Sequence, residues 1–186
     1  MKSYGIFILS LIVGSIAWVG LAWPSTFRPL PLSMLAREST LVVVATPVSA
    51  NSHWATVGST SRVVTDVVIE VGWTLRGDDS TGRQLVVRTL GGEVGNIGHL
   101  VHGEARLAIG QICLAFLVLG HDGTLHVLGM AQGHYPLEPI SDGDWQIAPS
   151  PALDGVMQPE LSAARALSGR RVSELPMLLR SHEALQ

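Results

Sequence analysis

Residues 63–75 read Val63-Val64-Thr65-Asp66-Val67-Val68-Ile69-Glu70-Val71-Gly72-Trp73-Thr74-Leu75. Val63, Thr65, Val67, Ile69, Val71, Trp73 and Leu75 fall on every second position, with Asp66, Glu70, Thr74 and Arg76 between them. A period of two sends the first set to one face of a strand and the second to the other. The spacing predicts one long, half-buried strand with Trp73 on its inner face. A strand of that length cannot stay flat, so a coil or bulge is expected near Gly72.

Upstream, Leu41-Val42-Val43-Val44-Ala45-Thr46 is a β-branched apolar run with the signature of a buried strand, and Pro47 makes its far end an edge or a bend. Asn51 to Ser61 is polar and reads as a loop. Ser33 is placed to cap a short helix over Met34 to Glu38. Downstream, Gly77 to Gly82 is a turn by composition, and Gln84 to Leu90 is the returning strand with Leu85, Val87 and Thr89 inward. Ile109 or Gln111 to Leu119 reads as another buried strand. His121-Asp122-Gly123 is a hairpin turn, residues 124–130 pair back, and His134 to Leu137 add a short last strand. Residues 138–158, rich in Pro, Asp and Ser, read as a linker or surface loop. Residues 159–186 read as helical, with Pro159 opening one helix, Gly169 closing it, and Ser173 capping a second over Glu174 to Ala184. These signals predict a mainly β fold: a small antiparallel OB-like barrel over residues 33–137 with short flanking helices.

The N-terminus carries Lys2 and then an uncharged apolar run from Ile6 to Val19, followed by Gly20-Leu21-Ala22. This is the pattern of a secretory signal over residues 1–22, cut after Ala22. The alternative is an uncleaved anchor, because Ile6 to Trp23 is just long enough to span a bilayer. Residues 23–32, with Pro24, Pro29 and Pro31, read as an extended lead-in. The expected location is outside the cytoplasm: periplasmic, extracellular or anchored.

Composition narrows the function. A length of 186 residues with 47% hydrophobic and 15% charged content fits one globular domain behind an export segment. The net charge is −3, and no arginine cluster exceeds Arg170-Arg171, which argues against nucleic-acid binding. Lys2 is the only lysine, so the domain has none for Schiff-base chemistry or a P-loop. The single cysteine, Cys113, lies in the apolar run 112–117 and reads as a buried small hydrophobe; no intramolecular disulfide can form.

The order of the segments STLVVVATPVS (39–49), VVTDVVIEVGWTLRG (63–77), LVVRTLGGEVGNIGHLVHGEARLAIGQICLAFLVLG (85–120) and LHVLGMAQGHYPL (125–137) resembles a group of uncharacterised secreted bacterial domains. Those domains share an export signal, a valine-rich strand, a double-glycine loop and a Gln-Gly near the end. The strand order is also similar to the OB-like netrin and metalloproteinase-inhibitor fold. The first resemblance implies a structural framework and no reaction. The second implies protease inhibition, from which this chain departs by lacking the N-terminal cysteine and disulfides.

Four groups are candidates for function. Gly91, Gly92, Glu93 and Gly95 form a glycine loop flanked by Arg88 and Arg106, suited to contacting a ligand or to pairing the arginines with Glu93 or Glu104. His99, His102 and Glu104 are candidate metal ligands, since zinc takes His nitrogen and carboxylate oxygen. Trp54 and Trp145, placed in loops, are candidate contact residues for a partner. Trp73 is assigned to the core. No cofactor motif is present. The leading expectation is a non-enzymatic exported module that binds a protein or an envelope component, with membrane contact only through the N-terminal segment. A metal-dependent hydrolase using His99, His102 and Glu104 and a netrin-like inhibitor are the alternatives.

Overall fold

The computed structural model describes residues 28–153 and 161–183. Residues 1–22, expected to be an export segment, and Pro159 lie outside them. Among the described residues no helix is long and apolar enough to cross a membrane.

The chain is mainly β, with one large mixed sheet. Helix α1 (Leu32–Glu38) is followed by two 17-residue strands, β1 (Leu41–Val57) and β2 (Thr60–Arg76), which pair as one long antiparallel ribbon. Then come β3 (Gln84–Leu90), a small hairpin of β4 (Gly92–Val94) and β5 (Ile97–His99), and β6 (Cys113–Leu119) with β7 (Leu125–Val127). A 3₁₀ turn (Met130–Gly133), β8 (His134–Pro139), β9 (Trp145–Ile147), α2 (Ala163–Leu167) and α3 (Leu175–Glu183) complete the described elements.

Pairing runs β1–β2–β3–β7–β6, and β6 pairs in turn with β1, so the ladder returns to its start. The all-antiparallel expectation needs correction at β3 and β7, which run parallel. The reason is geometric. A circuit of five strands is odd, and an odd circuit cannot have every neighbouring pair antiparallel.

The alternation of residues 63–75 holds through Val67, Ile69 and Val71, all buried. It then fails where a bulge was expected. Val44 pairs with Trp73 and Ala45 with Val71, which leaves Gly72 without a register partner. One extra residue reverses the facing of everything beyond it. Trp73 is therefore turned out and is 50% exposed, correcting its assignment to the core.

Further corrections concern lengths and caps. Residues 51–57 belong to β1, so the loop before β2 shrinks to Gly58 and Ser59. The strand continues through Pro47, with a register shift between Pro47 and Ser49. Helix α1 starts at Leu32 behind Pro31, whose φ of −69° is preset by its ring, and no side chain caps it; Ser33 lies inside the helix. The supposed linker at 138–158 contains the end of β8 and all of β9, which Gln146 bridges to Arg171. Ser173 lies in a 3₁₀ turn before α3 and donates to Asp144 Oδ2 at 2.6 Å instead of capping a helix.

The apolar run of β1 serves two cores at once. Val42 and Val44 pack with Leu114, Phe116, Tyr135 and the three helices, with Phe116 edge-on to Tyr135 at 6.3 Å. Leu41, Val43 and Ala45 point into the strand circuit beside Val67, Ile69, Val87 and Leu117. Cys113 is buried, and loss of water pushes its thiol up to about 12, as befits a core residue.

Gln132 ties the lead-in to the sheet. It is buried, its Oε1 accepts from the Leu30 amide at 2.8 Å, and its Nε2 donates to the Arg28 carbonyl at 3.1 Å. Its own carbonyl accepts from Tyr135 Oη at 2.7 Å. The turn that presents it contains Met130 at φ 60°, the only non-glycine with positive φ among the described residues.

Two outcomes test this architecture. Phe116→Ala should cost about 3–5 kcal/mol in urea unfolding, whereas Trp73→Ser should stay within about 0.5 kcal/mol. A large loss at Trp73 would contradict the bulge. His134, buried at the start of β8 with Ser150 Oγ 3.5 Å from Nδ1, is pushed down to about 4 by desolvation from an ordinary value of 6.5. Between those values the unfolded chain binds a proton that the folded chain does not. Stability should therefore be full above about 6.5 and decline by an amount of order 3 kcal/mol as the pH falls toward about 4. His134→Gln should remove most of that slope in denaturant titrations across the window.

Candidate functional site

Strand register builds the site from a row of hydroxyls. Ser52 of β1 stands opposite Thr65 of β2, which stands opposite Thr89 of β3. Thr65 Oγ1 donates to the Gly91 carbonyl at 2.7 Å, so its only proton is used. Ser52 Oγ, 2.8 Å away, must then be the donor to Thr65. These hydroxyls hold the base of the β4–β5 hairpin, and their protons point inward rather than toward a substrate.

Glycine is required where this arm meets the row. Gly92 has φ 130°, and a Cβ there would overlap Ser52 Oγ and Thr65 Oγ1. Gly91, at φ 91°, would bring a Cβ to 2.5 Å from the His99 carbonyl. At the far end Gly95, at φ 60°, leads the two-residue connection Gly95-Asn96, with Asn96 not in the positive region. The glycine-dense stretch is thus a short hairpin lying against β1 and β2, with Glu93 exposed on it.

Between this arm and the following segment lies a cavity of about 220 Å³. Thr65, Thr89, His99, Leu100, Glu104 and Arg106 are among the residues lining it. Glu104 is its chemically distinctive group. Burial raises its carboxyl above the ordinary carboxylate range, and hydrogen bonds from the Ala105 and Leu90 backbone oppose the shift without cancelling it. His99 and His102 are exposed. Among the described residues no three His, Cys, Asp or Glu side chains are gathered to hold a metal ion, so His99, His102 and Glu104 do not form such a set.

The opposite face of the same strands carries a charged row that sequence reading missed. Arg88 forks onto Asp66, Nε to Oδ1 at 2.7 Å and Nη2 to Oδ2 at 2.9 Å, and Nη1 reaches Asp122 at 3.3 Å. Arg88 is thus committed to these aspartates rather than to Glu93 or Glu104. The fork holds the Asp66 carboxyl below its usual value, and Thr124 hydrogen bonds do the same, more strongly, for Asp122. His126 pairs in register with Arg88, and His53 Nε2 lies 3.7 Å from Asp66. Thr124 Oγ1, His126 Nε2 and Asp122 form a closed knot in which hydroxyl and carboxylate meet directly. A relay would need the imidazole between them, each on a different ring nitrogen.

The structure separates the two tryptophan candidates. Trp54 is on β1, not in a loop, two positions beyond Ser52 on the same strand face, and is 50% exposed. Trp145 opens β9 and packs against the core beneath the helices, away from the cavity residues. Ile97 and Leu100, exposed by 54% and 62%, belong to the arm and its continuation. Neither had been singled out, and only the lack of a buried partner for the β5 face would have pointed to them.

No protein-family model matches this chain, and no curated protein and no solved structure matches it.

The tight fit at Gly92 gives a direct test. Gly92→Ala should destabilise the arm by about 1–3 kcal/mol, through both overlap and backbone strain, and raise amide exchange over residues 92–99 first. Equal stability of the variant and the parent would mean that the hydroxyl row does not hold the arm.

Proposed function

We propose that this chain is an exported, non-enzymatic module built on an OB-like barrel, and that it binds a protein or envelope component at the mouth of the cavity beneath the β4–β5 arm. The five-strand circuit with its single parallel junction supports the barrel reading, as does the interior packing of Val43, Val67, Val87 and Leu117. OB-type barrels bind ligands on the faces of their second and third strands and the neighbouring loops. The cavity here is lined from β2, β3 and the hairpin that follows them.

The observation that carries the binding reading is the exposed Leu100 on the lining of a small hole, with Ile97 exposed on the arm and Trp54 exposed on β1 two positions beyond Ser52, the residue against which the arm packs. At about 220 Å³ the cavity is smaller than the roughly 300–1,000 Å³ usual for small-molecule sites, and its size suits one protruding side chain of a partner. An exposed tryptophan and a side-chain-sized pocket are features common in interface hot spots, and here both are carried by the strands that hold the arm. Among the described residues His99, His102 and Glu104, the set on which the hydrolase alternative rests, are not gathered to hold a metal ion.

Photo-crosslinking groups at Trp54 and at Leu100 in the producing cell should capture the same discrete partner. Trp54→Ala should weaken that complex by about 2 kcal/mol, roughly thirtyfold. A crosslinker at Trp73, exposed but on a different part of β2, should not capture it. Identical capture at Trp73, or none at Leu100, would refute the assignment. N-terminal sequencing of the same material should begin at Trp23 if the signal is removed.

A further inference from the structure

The helices form a layer on the outer side of β1, β6 and β8, and this layer turns apolar side chains away from the sheet. Met34 of α1 is 37% exposed, Leu161 just before α2 is 55%, and Met177 of α3 is 76%. Met177 lies opposite the buried face of its helix, which is made by Leu175 and Leu179. A shallow groove of about 430 Å³ runs between Pro31, Leu32, Leu161, Arg165 and His182.

Charge divides the molecule along the same line. Residues 28–38 and 161–183 carry Arg28, Arg37, Arg165, Arg170, Arg171 and Arg180 against Glu38, Glu174 and Glu183, a net of +3. Residues 39–153 carry five arginines against ten carboxylates, a net of −5. Arg37, Arg170 and Arg171 are paired with Glu38, Glu174 and Asp142, so among the described residues the exposed cations that this layer has to offer a partner are Arg28, Arg165 and Arg180.

The lead-in ends on that layer. The Leu30 carbonyl accepts from the Ala163 amide at 2.8 Å, and Gln132 holds the backbone at Arg28 and Leu30. The apolar sequence Ile6 to Trp23 therefore stops five positions before a fixed point, a reach of at most about 18 Å. From these three observations we propose that the helical layer is a membrane-facing surface, seated on anionic headgroups through Leu161, Met177 and its arginines while the N-terminal segment is held in the bilayer. The inference rests on the uncleaved-anchor alternative for the N-terminal segment and is independent of the cavity. Arginines near an anionic leaflet contribute about fivefold each, so the exposed pair Arg165 and Arg180 suffices to orient the domain.

The full chain, reconstituted into phosphatidylcholine vesicles with or without phosphatidylglycerol, tests this. Retention on the vesicles after alkaline carbonate reports the N-terminal segment separately from the domain. A fluorophore on Met177→Cys can be placed selectively, because Cys113 is buried. Headgroup-depth nitroxide lipid should quench it several-fold more in the anionic vesicles than in the neutral ones. The same fluorophore on Ile97→Cys should not respond. Arg165→Gln and Arg180→Gln should each reduce the anionic preference by about fivefold. Retained chain with no quenching at position 177, equal quenching in both lipids, equal quenching at position 97, or fluorophore pairing between two chains would each overturn the proposal. The last result would assign the face to a second copy.

Discussion

The short run Leu41–Ala45 is the constraint on which the rest of the molecule depends. Its backbone pairs with β2 along one edge and β6 along the other, and its side chains are buried on both faces. One face fills the strand circuit and the other seats the helices. A strand in that position must be apolar at every residue, which is why the run lacks alternation. Buried area alone makes each valine worth about 1.5–3 kcal/mol, and no other segment contributes to both cores over so few positions, apart from its neighbour β6. Polar substitution at Val43 or Val44 would damage different layers, yet either would weaken closure of the circuit.

Local periodicity made most of the framework legible. The alternation at 63–71, the continuous runs in β1 and β6, and the Asp122-Gly123 turn all report short-range rules that survive in the folded chain. What escaped was decided between segments. Residues 51–57 look like a loop because they are polar on both faces, and only hydrogen bonding to the start of β2 makes them a strand. Trp73 followed the period up to Gly72 and lost it there, because one unpaired residue exchanges inside for outside. β9 is three residues long, below the length at which pattern is informative, and depends on β8 and the Arg171 bridge.

The candidate site shows the same division. Its glycines and Glu104 were visible as residue types, but their roles came from contact. Gly92 matters because two hydroxyls from β1 and β2 crowd it. Arg88 finds Asp66 at a separation of 22 residues and Asp122 at 34, distances at which sequence proximity offers no guide. The result is a set of strands with two different faces. On one side small hydroxyls lock an arm over a cavity; on the other a fork of charge stiffens β2, β3 and the β6–β7 turn. A partner approaching the cavity would meet strands already braced from behind, so binding there would require little reordering.

The Gln132 amide has a mechanical consequence. Any pull transmitted along the chain from upstream of Arg28 arrives first at two backbone hydrogen bonds made by one buried side chain. The same residue is fastened through its backbone carbonyl, which accepts from Tyr135 Oη, to the middle of the packed layer. Load that reaches Arg28 is therefore delivered straight to the interior through these bonds.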